Sequence, residues 1–282
     1  CYKGSVSGGW LGRFMRTRTI ENQTPFSAVA IGEVIPESFR GSPVTSAIRK
    51  VEDIRIDLPP SDADAVCAAL AQMYSAEIGI LKEPGSTSLN LLKRVEKFKS
   101  KQYKPENAAE YSDNEFAQGL KEVARLIKAE VGLEVACLDL DGWDTHFFQG
   151  GAEGQQALQI EQLGNGLGAF YADLRKYNHK VTTVVMTEFG RRIYENGSLG
   201  TDHGRGFAFF AMGAGINGGK VRGKYPGLHN DQYELGPGGM KITCDYRSVL
   251  SEILTWRDAP ISEIFPDFVP EPVGLVSPRA TG

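Results

Sequence analysis

LEVACLDLDGWDTH, residues 133–146, begins as a short apolar strand over Glu134–Leu140 and then opens at Asp141 into a polar loop carrying Asp144 and His146. Downstream, Gln155–Tyr177 reads as a long amphipathic helix, with Leu158, Ile160, Leu163, Leu167, Phe170 and Leu174 on or near one face. Val181–Met186 is β-branched and apolar, as a buried strand should be, and runs straight into Thr187-Glu-Phe-Gly-Arg-Arg192. A glycine-rich loop leads to Gly200-Thr-Asp-His-Gly-Arg205, and Phe207–Met212 reads as another strand. A last helix is expected over Asp245–Arg257, with Thr243 as its cap. Strand, helix, strand with polar residues at the strand exits describes an α/β domain built on a mostly parallel sheet. Such sheets place ligands beyond the carboxyl ends of their strands.

Upstream, residues 1–60 look irregular or β-like. Ser27–Gly32 fits a short buried strand, and Val51–Leu58 alternates apolar with charged residues. From Pro60 to about Gly132 the pattern turns helical: Ser61-Asp-Ala-Asp resembles an N-terminal cap, and further helices fit Ser88–Lys104 and Asn114–Val131. This 60–132 segment carries no convincing chemistry and reads as a helical insertion or covering region within a single domain spanning 1–282.

The composition bounds the function. The chain has 282 residues, 41% of them hydrophobic and 23% charged, which is ordinary for a globular protein with a sizeable core. No run approaches the roughly 20 apolar residues of a membrane span. A net charge of −4 argues against a nucleic-acid partner, which requires a basic face. Cys1, Cys67, Cys137 and Cys244 show no close pairing, so neither a zinc ribbon nor a redox pair is indicated, and Cys67 and Cys137 read as core residues. The chain opens on Cys1 with no basic, apolar leader, which suggests a fragment or a processed chain.

Three clusters carry chemistry. Asp144 and His146 follow one strand, Glu188 follows the next with Arg191 and Arg192 behind it, and Asp202 and His203 are adjacent between Gly200 and Gly204. Mixed carboxylate and imidazole ligands suit zinc, manganese, iron or magnesium. Arg191, Arg192 and Arg205 can neutralise an anionic group through the guanidinium fork. Each residue also has a plainer reading. Asp144 can cap a turn, His146 can bond a backbone carbonyl, Glu188 can pair with Arg191 or Arg192, and Asp202-His203 can be a glycine-bounded turn. His179 and His229 read as surface histidines, and Lys220, Arg222 and Lys224 as a solvated face.

Taken together, Gly142-Trp-Asp-Thr-His146, Thr187-Glu-Phe-Gly-Arg191 and Gly200-Thr-Asp-His-Gly204 resemble the bacterial domain-of-unknown-function 1501 family. Gly218–Pro226, the helix start at Asp245-Tyr-Arg, Gly9-Trp-Leu-Gly-Arg13 and Ile35–Gly41 fit the same pattern, so the resemblance covers nearly the whole chain. It implies the alkaline phosphatase and sulfatase superfamily, hence a three-layer α/β sandwich with a mostly parallel central sheet, here missing its N-terminal strand or strands. It also implies an exported protein, periplasmic or extracellular, since such proteins often carry a twin-arginine signal. Asp144 and His146 would match the superfamily's first Asp/His ligand pair, Glu188 a carboxylate after a central strand, and Asp202 with His203 the later ligands. The superfamily's nucleophile belongs to an early strand that would lie before residue 1.

The leading expectation is a metal-dependent hydrolase of a small phosphate or sulfate ester. Asp144, His146, Glu188, Asp202 and His203 would bind the divalent ion (zinc, manganese or magnesium), and Arg191 would stabilise the anion. The alternative is an exported binding or structural protein that keeps the fold without turnover. A third reading, an anion- or carbohydrate-binding module, would use the arginines and Trp143.

Overall fold

The computed structural model describes residues 7–19, 23–55, 58–76, 79, 82–99, 102–228 and 238–277. The chain divides into two compact units, Cys1–Asp139 and Leu140–Gly282. The protein is mixed α/β.

The first unit is organised on a three-stranded parallel sheet in which β1 (Ala28–Ile31) is central, with β2 (Ser46–Ile48) on one side and β3 (Val135–Leu138) on the other. The register pairs Val29 with Ser46 and with Ala136. β1 is apolar throughout, and Ala28, Val29 and Ala30 are all buried. Parallel strands need long crossovers, and here the crossover from β2 to β3 contains three helices. These are α2 (Pro60–Ala76), α3 (Lys82–Lys99) and α4 (Glu115–Lys128).

α4 is the strongly amphipathic one. Asn114 caps it by accepting from the Ala117 N–H at 2.8 Å, and Phe116, Leu120, Val123 and Leu126 are buried. Gly119 lets it lie close to the sheet, because a Cβ there would stand 2.9 Å from Leu138 Cδ1 and 3.2 Å from Ile31 Cγ2. The expected covering region therefore also supplies the core. Leu91 and Val95 of α3 and Leu126 of α4 pack with Phe26, Val29, Ile48, Val51 and Ile54.

Two N-terminal features depart from the sequence reading. Residues 10–16 form a helix, α1 (Trp10–Arg16), inside the segment expected to be irregular or β-like. Its glycines explain the site: Cβ atoms at Gly9 and Gly12 would fall 2.1 Å from Ser38 O and 2.2 Å from Arg40 O, so the helix seats directly on the backbone of the 37–40 turn. The alternating segment 51–58 starts as a 3-10 turn at Val51–Asp53, and residues 56–57 lie outside the described residues. Its apolar side chains Val51 and Ile54 nonetheless point into the core.

The second unit contains α5 (Gln155–Asp173), β4 (Thr182–Val185), β5 (Phe210–Gly213), α6 (Tyr246–Trp256) and α7 (Ile261–Ile264). β4 and β5 pair antiparallel, with Thr182 opposite Gly213 and Val185 opposite Phe210. A parallel pairing was expected. No helix intervenes between Met186 and Phe209, so the chain folds back on itself and returns beside the strand it left. Along α5 the expected apolar face is buried only toward its end: Phe170 and the adjoining Leu174 are buried, while Leu158 and Ile160 are exposed. α6 is capped by Asp245, two residues after the expected Thr243. The Asp245 carboxylate accepts the Arg247 N–H at 2.8 Å and also pairs with the Arg247 guanidinium, which holds it below its ordinary pKa.

Glu252 on α6 anchors the C-terminal segment. Its carboxylate accepts the backbone N–H groups of Val273, Gly274, Leu275 and Val276, the last three at 2.8, 2.6 and 3.2 Å.

Candidate metal centre

Two loops of the second unit build the site. The first, residues 141–154, leads into α5, and the second, 186–209, joins β4 to β5. Phe148 N–H donates to Ser198 O at 3.0 Å, Gln149 N–H to Leu199 O at 2.9 Å, and Thr201 N–H to Thr145 O at 3.2 Å. The Gln149 side-chain oxygen accepts both the Thr145 and the Thr201 hydroxyls, at 2.9 and 2.6 Å. Thr145 is fully buried beneath this seam. The second loop is also doubled on itself, since Arg192 N–H donates to Asp202 O at 2.9 Å and Gly204 N–H to Gly190 O at 2.6 Å.

The glycines of the expected turn serve close approach rather than unusual dihedrals. A Cβ on Gly200 would stand 2.3 Å from the His146 carbonyl, one on Gly204 2.4 Å from Arg191 O, and one on Gly190 1.9 Å from Gly206 O. None of these three has a positive φ. The non-glycine residues of these loops with positive φ are Phe148 and Leu199, at φ 45° and 59°, where the two loops meet.

This arrangement brings three ligand atoms to one point. Asp144 Oδ1 lies 2.8 Å from His203 Nε2 and 3.1 Å from His146 Nε2, and the two Nε2 atoms are 3.1 Å apart. Among the described residues, Asp144, His146 and His203 form a group that can hold a metal ion. The donor set fits one. With metal–ligand bonds of about 2.1 Å, neighbouring ligand atoms lie about 3.0 Å apart on an octahedron and about 3.4 Å apart on a tetrahedron. Asp144 is mostly exposed and His203 is 44% exposed, so solvent reaches the triangle.

The other sequence-predicted residues take different places. Asp202 stands on the far side of the His146 ring, its Oδ1 3.0 Å from Nδ1. An ionised carboxylate there can accept from an Nδ1–H, the arrangement in which an orienting carboxylate leaves the Nε2 of a histidine for a metal. Asn196 donates to the same Oδ1 at 3.0 Å, and this bond first, with His146 second, holds the Asp202 carboxyl below its ordinary pKa. Asp144 is lowered likewise, chiefly by the hydrogen bond from His203.

Arg191 does not face outward. Its guanidinium bonds Asp144 Oδ1 at 2.9 Å, Thr201 O at 2.7 Å and Trp143 O at 2.5 Å, tying both loops together. Arg192 lies 3.6 Å from Asp202 and over the Tyr194 ring. Glu188 is exposed and outside the triangle, and among the described residues it pairs with neither arginine. His179 is exposed as expected, and His229 lies outside the described residues.

Two contributors escaped the sequence reading. Phe189 stacks on the His203 imidazole with centroids 3.9 Å apart, fixing the ring's plane. Asn196 bonds both loops at once. Its only sequence signal is an Asn-Gly pair, which marks a turn but not a partner.

These loops and this sheet arrangement belong to a mixed α/β protein with a histidine- and carboxylate-lined loop site. The chain matches the family described as "Protein of unknown function (DUF1501)" over residues 2–236 and belongs to it. No curated protein and no solved structure matches the chain.

Proposed function

We propose that Asp144, His146 and His203 bind one divalent metal ion, and that the protein is a metal-dependent hydrolase of a small phosphate or sulfate ester. The observation that carries the reading is the triangle of Asp144 Oδ1, His146 Nε2 and His203 Nε2, with edges of 2.8 to 3.1 Å and one side open to solvent. When bound, zinc, manganese or magnesium supplies Lewis acidity toward an ester oxygen and a more acidic water. The chain's own residues orient that centre. Asp202 fixes the His146 tautomer, Phe189 the His203 ring, and Arg191 the Asp144 carboxylate together with the two loops. Arg191 acts here as a clamp on Asp144 and the two loops. Glu188 and Asp202 fall outside the proposed ligand set.

An alkaline-phosphatase-like sandwich forming a single domain, and export to the periplasm or beyond, belong to the same proposal and rest on the motif resemblance. A second reading is an exported protein that binds without turnover. It is favoured by the engagement of Arg191 with backbone carbonyls and Asp144 in place of an open anion pocket. Hydrolysis of p-nitrophenyl phosphate and p-nitrophenyl sulfate separates the two. The hydrolase reading expects turnover that chelation abolishes and that His203→Ala reduces at least tenfold. Metal uptake with no turnover of either ester favours the binding protein.

A further inference from the structure

We infer that Asn196 is the positioning residue of the metal centre, acting through Asp202 to present the His146 Nε2 lone pair. The inference rests on the metal reading above and adds a residue to it. All four hydrogen-bonding positions of this one amide are occupied. Its Nδ2 donates to Asp202 Oδ1 and to His146 O, each at 3.0 Å. Its Oδ1 accepts Ser198 N–H at 2.9 Å and Gly200 N–H at 3.1 Å. Two acceptors on one side and two backbone donors on the other fix which end is nitrogen and which is oxygen. Asn196 N–H also donates to Gly200 O at 2.8 Å, closing its loop.

The consequence is a closed ring of contacts. The amide holds the main chain of His146, the carboxylate that faces the same histidine's Nδ1, and Gly200, whose Cα packs against the His146 carbonyl. Without Asn196, Asp202 Oδ1 loses a donor, and Arg192, 3.6 Å from the other oxygen, is left to draw the carboxylate away. His146 then loses the bond that keeps its proton on Nδ1. Outer-shell partners of this kind typically matter 10- to 100-fold in metal affinity.

The test is zinc titration of the full chain by calorimetry, together with imidazole ¹⁵N shifts of the metal-free protein. Asn196→Ala is expected to weaken zinc binding roughly tenfold or more and to turn His146 from a single Nδ1–H tautomer into a mixture. Adding Asn196→Ala to Asp202→Ala should weaken binding little further, because the two share one route to the metal. Asn196→Asp keeps an acceptor for Ser198 and Gly200 but loses the donor, so it serves if the alanine variant fails to fold, and it should weaken zinc in the same way. Equal zinc affinity in the wild type and both variants overturns the inference. So does full independence of the Asn196 and Asp202 substitutions, which would mark a merely structural loop residue. A wild-type chain that takes up no zinc removes the metal reading instead, and the tautomer measurement then decides this inference alone.

Discussion

His146 and His203 present their Nε2 atoms to each other at 3.1 Å, close enough that two lone pairs cannot both point there. Asp202 Oδ1 faces the other ring nitrogen of His146 at 3.0 Å, and Asp144 Oδ1 faces the Nε2 atoms of both His146 and His203, at 3.1 and 2.8 Å. With His146 as the Nδ1–H tautomer, a proton on His203 Nε2 would lie between His146 Nε2 and the Asp144 carboxylate. A metal ion can enter only by displacing that proton. Zinc binding should therefore move the His203 proton off Nε2, read as exchanged ¹⁵N shifts of its ring, while His146 keeps its Nδ1–H. A shift at His146 with none at His203 would contradict the arrangement.

Steric economy at the seam makes a second prediction. Gly200→Ala would drive a methyl to within 2.3 Å of the His146 carbonyl, so the two loops must part. Overpacking of this kind costs about 1–3 kcal/mol, and zinc affinity should fall with it. Gly197→Ala, three residues earlier, meets nothing within 4 Å and should leave affinity unchanged. Denaturant unfolding and calorimetry on the two variants check the contrast.

The first unit holds a buried ionic network that predicts a larger effect. Arg125, 7% exposed, pairs with Glu122 at 2.9 Å and with Glu52 at 2.5 Å, and Glu122 also accepts the buried Val51 N–H at 2.8 Å. Arg125→Met would leave the Glu122 charge buried without its cation, with only the Val51 N–H to meet it. Breaking such a pair typically costs about 3–5 kcal/mol, so urea denaturation should show a loss near 3 kcal/mol. A change within about 0.5 kcal/mol would mean the network is no more than a surface pair.

A pH dependence follows from Asp202. Its folded pKa lies below the ordinary value of 3.8, so its contribution to stability is fully present above pH 3.8 and is lost as pH falls through the lowered folded value. Asp202→Asn removes that contribution. The difference in stability between wild type and variant should shrink as pH falls below 3.8, and thermal melts from pH 7 down to pH 2.5 would show it. A difference that stays constant across that range would mean Asp202 is not held ionised by Asn196 and His146.

Periodicity made much of the fold legible. β1, β3 and α4 carry patterns dense enough to place, and each lies within a few residues of its expected position. α1 was missed because it is only seven residues long: Leu11, Phe14 and Met15 give a single i, i+3, i+4 repeat, and the close backbone packing at Gly9 and Gly12 has no hydrophobic signal. The direction of β5 was hidden as well. A strand's sequence does not state which neighbour it pairs with, and only the helix-free return after Met186 makes the pairing antiparallel.

In the candidate site, residue type and position found Asp144, His146 and His203, because the first pair follows an expected strand and the second stands between Gly200 and Gly204. They did not separate a ligand from its support. Asp202 looks the same in sequence whether it faces a metal or the back of an imidazole, and Asn196 gains its role only from contacts with residues 50 positions away and less.

The most direct measurement is zinc titration of the wild-type chain beside His203→Ala, Asp144→Ala and Glu188→Ala, by calorimetry with metal content checked independently. One ion per wild-type chain is expected, with binding weakened at least tenfold in the first two variants and wild-type affinity in Glu188→Ala. A folded wild-type chain that binds no divalent ion, or one whose affinity falls with Glu188→Ala and not with His203→Ala, would contradict that expectation.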